Sequence, residues 1–215
     1  MKKAVLFDMD GVLLDTEPVY AECLQTALSK NGIPIPLQEL YTLAGLEVSE
    51  KIEAVAHARG ILPDTKKIVR EYRAVQQIRL RDFSPLLKPD AKELLQTLRS
   101  RGYRLALCTN STAARVAAVF RYTGLGQFFS TVIQADQVTR RKPDPEIYQS
   151  AMRDLGLPAE ACAAVEDSVF GIRAAKAAGL QTIAVLDSRF PYINGSADRT
   201  VRSLRQVTNE LETFL

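Results

Sequence analysis

Five short, unbroken apolar runs punctuate the chain: 4–7 (AVLF), 105–108 (LALC), 132–133 (VI), 161–165 (ACAAV) and 182–186 (TIAVL). Runs without apolar–polar alternation suit strands buried on both faces, as in a parallel sheet covered by helices. Helical patterns separate them. One opens at Asp90 and runs through Leu94, Leu95 and Leu98 to Gly102. A second has Asp144 as its N-cap and Pro145 at its first position, and closes at Gly156; a third runs over 168–178 with Gly179 at its end. This alternation predicts an α/β fold with a doubly wound, mostly parallel, Rossmann-like sheet.

The stretch from Thr16 to Phe83 carries no strand pattern. Val19, Cys23, Ala27 and Leu28 share one helical face, Gly32 stops that helix, and 50–59 and 65–81 are helix-like. The expected organisation is therefore an α/β core over 1–15 and 84–215, interrupted after its first strand by an all-helical domain over 16–83. Lys66, Lys67, Arg70, Arg73, Arg79 and Arg81 are spaced as a solvated helix face.

Composition narrows the function classes. Twenty-eight Lys and Arg against 25 Asp and Glu give a net charge of +3, too mild and too interspersed for a nucleic-acid binder. Asp8 and Asp10 break the first apolar run too early for a signal peptide, and no stretch is long enough to span a membrane. Cys23, Cys108 and Cys162 sit among apolar neighbours and read as reduced core residues of a cytoplasmic protein. His57 is the sole histidine, which rules out a His-rich metal site, and its setting is that of an ordinary helix residue.

In an open α/β sheet, ligands bind beyond the carboxyl ends of the strands. Asp8 and Asp10 follow the first run. Thr109, Asn110 and Ser111 follow the second, and Glu166, Asp167 and Ser168 the fourth. Lys142 lies in a basic loop stiffened by Pro143 and Pro145. Asp136 also follows an apolar run and is read as a loop residue. If the strands are parallel neighbours, up to four acids converge at one rim, a costly arrangement without a cation. Oxygen ligands with neither histidine nor thiolate suit a hard cation, Mg²⁺ first. Thr109, the backbone N–H groups around Asn110 and Ser111, and Lys142 are parts that bind a phosphoryl group. In such a site Asp8 can attack phosphorus and form an aspartyl-phosphate, while Asp10 protonates the leaving oxygen and deprotonates the attacking water. Gly11 allows a tight turn beside them.

The segments DMDGV, TNS, KPDPEIY and VEDSVFGIRAAKAAG, in this order and at these separations, resemble the haloacid-dehalogenase-like superfamily, above all its β-phosphoglucomutase-like phosphatase branch. The resemblance covers the whole chain. It implies Asp8 as nucleophile, Asp10 as acid/base, Thr109 and Lys142 on the phosphoryl group, and Mg²⁺ held by Asp8, the Asp10 carbonyl and Asp167 with Glu166 assisting. It also implies that the helical insert is a mobile lid, with hinges at Thr16 and near Ser84, whose loop at Gly45, Leu46 and Glu47 selects the substrate. Two positions depart from the mutase pattern: Tyr20 stands where that pattern has a cap histidine, and Ala44 where it has a lysine. Both favour a Mg²⁺-dependent phosphatase of small phosphorylated metabolites, sugar phosphates foremost, over a sugar-phosphate mutase. Within the superfamily the chain resembles, Asp10 argues against dehalogenation, whose members lack this aspartate because halide leaves without a proton, and against phosphonate cleavage, whose members replace it. A non-enzymatic phospho-aspartate switch is the remote alternative. The catalytic set is complete in one chain, so a monomer would suffice.

Overall fold

The computed structural model describes residues 3–44, 46–190 and 196–214. Its sheet has six strands: β1 (Ala4–Phe7), β2 (Arg104–Thr109), β3 (Thr131–Gln134), β4 (Cys162–Glu166), β5 (Gln181–Val185) and β6 (Arg199–Val201). All neighbours are parallel, in the order β3-β2-β1-β4-β5-β6. The first five strands match the five apolar runs to within one residue at each end. The sixth had no such run to announce it, because it is a short edge strand with only Val201 buried.

Among the described residues the helices are α1 (Glu17–Lys30), α2 (Leu37–Tyr41), α3 (Val48–His57), α4 (Thr65–Arg79), α5 (Ala91–Ser100), α6 (Ala113–Thr123), α7 (Glu146–Leu155), α8 (Val169–Ala177) and α9 (Val207–Phe214). Two compact units result. One comprises residues 3–15, 83–187 and 196–214; the other comprises 16–82 and 188–190.

In the first unit every residue of β1 and β4 is buried. Helices α7 and α8 pack on one face of the sheet, with Ala4, Leu6, Ala106, Cys108, Cys162 and Ala164 beneath them. Helices α5 and α9 cover the other face. Such two-sided burial is what continuous apolar strands require.

The helical unit closes its own core from Cys23, Leu24, Ala27 and Leu28 of α1, Ile52 and Val55 of α3, and Ile68 and Tyr72 of α4. Segment 188–190 joins it through Phe190, whose ring meets Tyr41 edge-on at 4.9 Å. A contact of that range leaves no local pattern in the sequence.

The start of α7 departs from expectation. The N-cap of α7 is Pro145, not Asp144. Proline has no N–H to satisfy, so the Asp144 carboxylate accepts instead from Glu146 N–H at 3.0 Å. Ser168 does cap α8, its Oγ accepting from Gly171 N–H at 3.0 Å. Cys23, Cys108 and Cys162 are free and buried. His57 ends α3 with its side chain exposed. No described helix is long and apolar enough to cross a membrane.

Candidate active site

The strand order changes direction at β1, which has β2 on one side and β4 on the other. A doubly wound sheet opens a crevice at such a switch point, beyond the carboxyl ends of the strands. Asp8 lies there, directly after β1, and Glu166 ends β4. The register pairs Phe7 with Val165, and Asp8 N–H donates to the Val165 carbonyl at 3.0 Å, so Asp8 and Glu166 stand side by side.

Carboxylate oxygens of Asp8, Glu166 and Asp167 come within 4.8 Å of one another. The Asp10 carboxylate is not part of that group of three, though it stays close enough to raise the Asp8 pKa. The expectation of four converging acids treated 8–10 as an extended chain with both aspartates on one side. The strand instead ends at Phe7, and the backbone turns, with Leu13 and Leu14 N–H both donating to the Met9 carbonyl at 3.0 Å.

Lys142 Nζ is the hub of the buried acids. It donates to Asp8 Oδ1 at 2.6 Å, to Glu166 Oε1 at 2.5 Å and to the Cys108 carbonyl at 2.7 Å. An ammonium has three donors, and all are engaged. Tyr148 Oη also donates to Glu166 Oε1 at 2.5 Å, and Glu166 Oε2 accepts from Asp167 N–H at 3.2 Å and Ser168 Oγ at 3.4 Å. Glu166 is fully buried. Burial opposes charge on Lys142, but Asp8 and Glu166 outweigh it and raise its pKa. Burial raises the Asp8 pKa to about 8; Lys142 pulls against this, while Glu166 and Asp10 add to it. One ammonium therefore leaves this group of acids short of positive charge. A bound cation would restore the balance.

The loop that carries Lys142 is fixed from both sides. Asn110 Oδ1 accepts from Lys142 N–H at 3.1 Å, and Asn110 Nδ2 donates to the Lys142 carbonyl at 3.4 Å. The Glu146 carboxylate accepts from Thr139 N–H at 2.8 Å and Arg140 N–H at 2.9 Å. Thr109 is buried, and its Oγ1 accepts from Ser111 N–H at 3.0 Å, shaping the loop before α6.

Two glycines make room for the acids. Gly11 has φ +77°, and a Cβ there would fall on the Asp167 carboxylate. Gly171, in the first turn of α8, has the same relation to the Glu166 carboxylate. Glu166 is thereby placed against a helix N-terminus, where negative charge is favoured.

Asp10 has a different setting. Its Oδ2 accepts from Ser111 Oγ at 2.8 Å and its Oδ1 from Arg115 Nη2 at 3.2 Å. The Arg115 guanidinium lies 5.3 Å from the centre of the Phe83 ring. Asp136, expected as a plain loop residue, accepts from Ala113 N–H at 2.7 Å and so caps α6.

The remaining expected positions lie in the helical unit. Tyr20, in α1, lines a small cavity of that unit with Tyr41, Lys51, Tyr72 and Phe190. Leu46 is exposed, and Glu47 N–H donates to the Glu50 carboxylate at 2.9 Å at the start of α3. Gly45 lies outside the described residues.

Sequence reasoning gave no role to Tyr148, Gly171 or Arg115. Tyr148 ends the KPDPEIY segment, and Gly171 stands inside the segment after Asp167. Arg115 had one physical signal, a cation in the first turn of a helix, where the dipole disfavours it.

Comparison with known proteins agrees with this geometry. Residues 2–179 match the family model described as haloacid dehalogenase-like hydrolase. A phosphorylated carbohydrates phosphatase of Thermotoga maritima is 35% identical over 186 residues, covering 84% of this chain and 83% of the relative. The fructose-1-phosphate phosphatase YqaB of Escherichia coli is 30% identical, covering 84% of this chain and 95% of the relative. The crystal structure of a Thermotoga maritima protein provisionally named a β-phosphoglucomutase superposes with a TM-score of 0.77 at 29% identity, covering all of both chains. The chain belongs to the haloacid dehalogenase-like hydrolases, in their β-phosphoglucomutase-like branch, and is a phosphoric monoester hydrolase.

Proposed function

We propose that this protein is a Mg²⁺-dependent phosphatase of small phosphorylated carbohydrates that works through an aspartyl-phosphate on Asp8. The observation that carries this reading is the division of the acids: Asp8, Glu166 and Asp167 are grouped, while Asp10 is held by Ser111 and Arg115. The grouped set is all oxygen, without histidine or thiolate, and a Cβ at Gly11 would fill the space beside Asp167. Those donors fit a hard divalent cation. Asp8 and Asp167 would hold Mg²⁺ with the Asp10 carbonyl, and Glu166 would assist chiefly through Lys142. When bound, Mg²⁺ would offset the charge of the acids and of the phosphoryl group.

In the first half-reaction an Asp8 carboxylate oxygen attacks phosphorus, the bond to the sugar oxygen breaks, and that oxygen takes a proton from Asp10. In the second, water attacks the aspartyl-phosphate, its proton passes to Asp10, and Asp8 is regenerated. Thr109 and the N–H groups of the loop at Asn110 bind the phosphoryl oxygens. Lys142 keeps Asp8 aimed and lends positive charge.

The sugar class is supported by the relatives named for phosphorylated carbohydrates and for fructose-1-phosphate. The helical unit is read as the cap domain that selects the substrate, with Tyr20 favouring hydrolysis over phosphoryl return. Buried free cysteines support a cytoplasmic setting, and a single chain supplies every proposed catalytic residue.

The test is phosphate release from a panel of sugar phosphates, with Mg²⁺ and with EDTA. Mg²⁺-dependent release is expected. Full activity in EDTA would contradict the metal assignment, and conversion of a sugar phosphate to its isomer without release would identify a mutase.

A further inference from the structure

Arg115 occupies a place that its own helix disfavours. It is the third residue of α6, in a first turn that contains no acid, so its charge opposes the helix dipole. Other contacts hold it there. The guanidinium donates to Asp10 Oδ1 at 3.2 Å and lies over Phe83, a ring only 3% exposed. The helix beneath it is tied down at both ends. Asp136 accepts from Ala113 N–H at 2.7 Å, and Ser84 Oγ donates to the Tyr122 carbonyl at 3.0 Å. Ser111 Oγ takes the other Asp10 oxygen at 2.8 Å. Each carboxylate oxygen thus has its own donor.

We propose that Arg115 is the positioning residue that holds the Asp10 carboxylate in place as the base of the second half-reaction. This rests on the reading of Asp8 as nucleophile and Asp10 as acid/base. In that step the water oxygen forms a bond to phosphorus, the phosphorus–oxygen bond to Asp8 breaks, and its electron pair stays on the Asp8 carboxylate. The proton lost by water goes to Asp10 and passes to solvent as phosphate leaves. A guanidinium only donates, so Arg115 cannot take that proton itself. Its contribution is to fix where the accepting oxygen stands.

The two halves can be timed separately in a single turnover of p-nitrophenyl phosphate with enzyme in excess. Release of p-nitrophenolate, a leaving group that needs no proton, reports transfer to Asp8, and release of inorganic phosphate reports hydrolysis. In Arg115→Gln, phosphate release should slow about tenfold or more, part of the roughly 10²–10⁴-fold that general base catalysis supplies. p-Nitrophenolate release should stay within about twofold of the native protein, a split that general damage to the fold would not produce. Arg115→Lys keeps a cation without the fork, and should recover part of the lost rate and carry the test if the Gln variant does not fold. Equal slowing of both releases, or no slowing of phosphate release, overturns the proposal. Asp10→Asn run beside it separates the two levels. If Asp10→Asn slows phosphate release and Arg115→Gln does not, only the role of Arg115 fails. If Asp10→Asn leaves phosphate release unchanged, the acid/base reading fails, and this inference with it.

Discussion

Asp8 and Asp10 are two residues apart, yet their surroundings have little in common. Asp8 is buried among two other acids, with Lys142 donating to it and to Glu166. The Asp10 side chain is 19% exposed and is held by Ser111 and Arg115 from α6 and the loop before it. The inner group is crowded with negative charge and calls for a cation. The outer group already balances one carboxylate with one guanidinium. Two carboxylates take different jobs when their environments differ in this way. Here the difference comes from the turn after Phe7 and from the direction in which each side chain finds its donors.

The largest expected effect lies on the inner side. Asp8→Asn keeps the shape and removes the proposed nucleophile, and should lower phosphate release by on the order of 10⁴-fold or more. Activity close to native in that variant would break the division between the two aspartates. Lys142→Met tests the charge balance of the same group. Leaving Asp8 and Glu166 without their buried partner should cost about 3–5 kcal/mol in denaturant unfolding. Added Mg²⁺ should raise the melting temperature of the native protein as well, since a ligand that binds only the folded state stabilises it. Failure of either result would mean that the inner acids are balanced in some other way.

Gly171→Ala sharpens the comparison from the other side. Its Cβ would displace the Glu166 carboxylate, so a loss of about 1–3 kcal/mol is expected, with activity falling as Lys142 and Asp8 shift.

The smallest effect is expected at an acid remote from the rim. Burial opposes charge on Asp198, but hydrogen bonds from Lys176 and Thr182 N–H outweigh it and hold its carboxyl below the usual carboxylate range. A lowered pKa contributes stability that is present above the ordinary carboxylate range and is lost as the pH falls through the folded value. Asp198→Asn should therefore cost less than about 1 kcal/mol at neutral pH, with the difference fading in acid. A large effect there would show that the rim acids are not special.

Much of this was readable in the sequence because it is local. Continuous apolar runs marked five strands, and the polar residues just after them marked the rim. What stayed hidden depends on distance. Glu166 read as an assisting metal ligand, and nothing in the sequence told that its oxygens also accept from Lys142, Tyr148, Asp167 N–H and Ser168. Lys142 looked like an open anion site, whereas its donors reach two acids and a carbonyl. Asn110 was noted for its backbone, yet its side chain clamps the Lys142 peptide. Strand β6 was too short and exposed to register, and Phe190 reaches Tyr41 across more than half of the sequence. Arg115 alone left a trace, as a charge on the wrong end of a helix.

The central claim is that Asp8 carries the phosphoryl group while Asp10 carries the proton. Rapid-quench digestion during turnover, followed by mass spectrometry of the peptide containing both residues, tests it most directly. The account predicts a phosphoryl group on Asp8 that is absent in Asp8→Asn and longer-lived in Asp10→Asn. A phosphoryl group on any other residue, or turnover with none on Asp8, would contradict it.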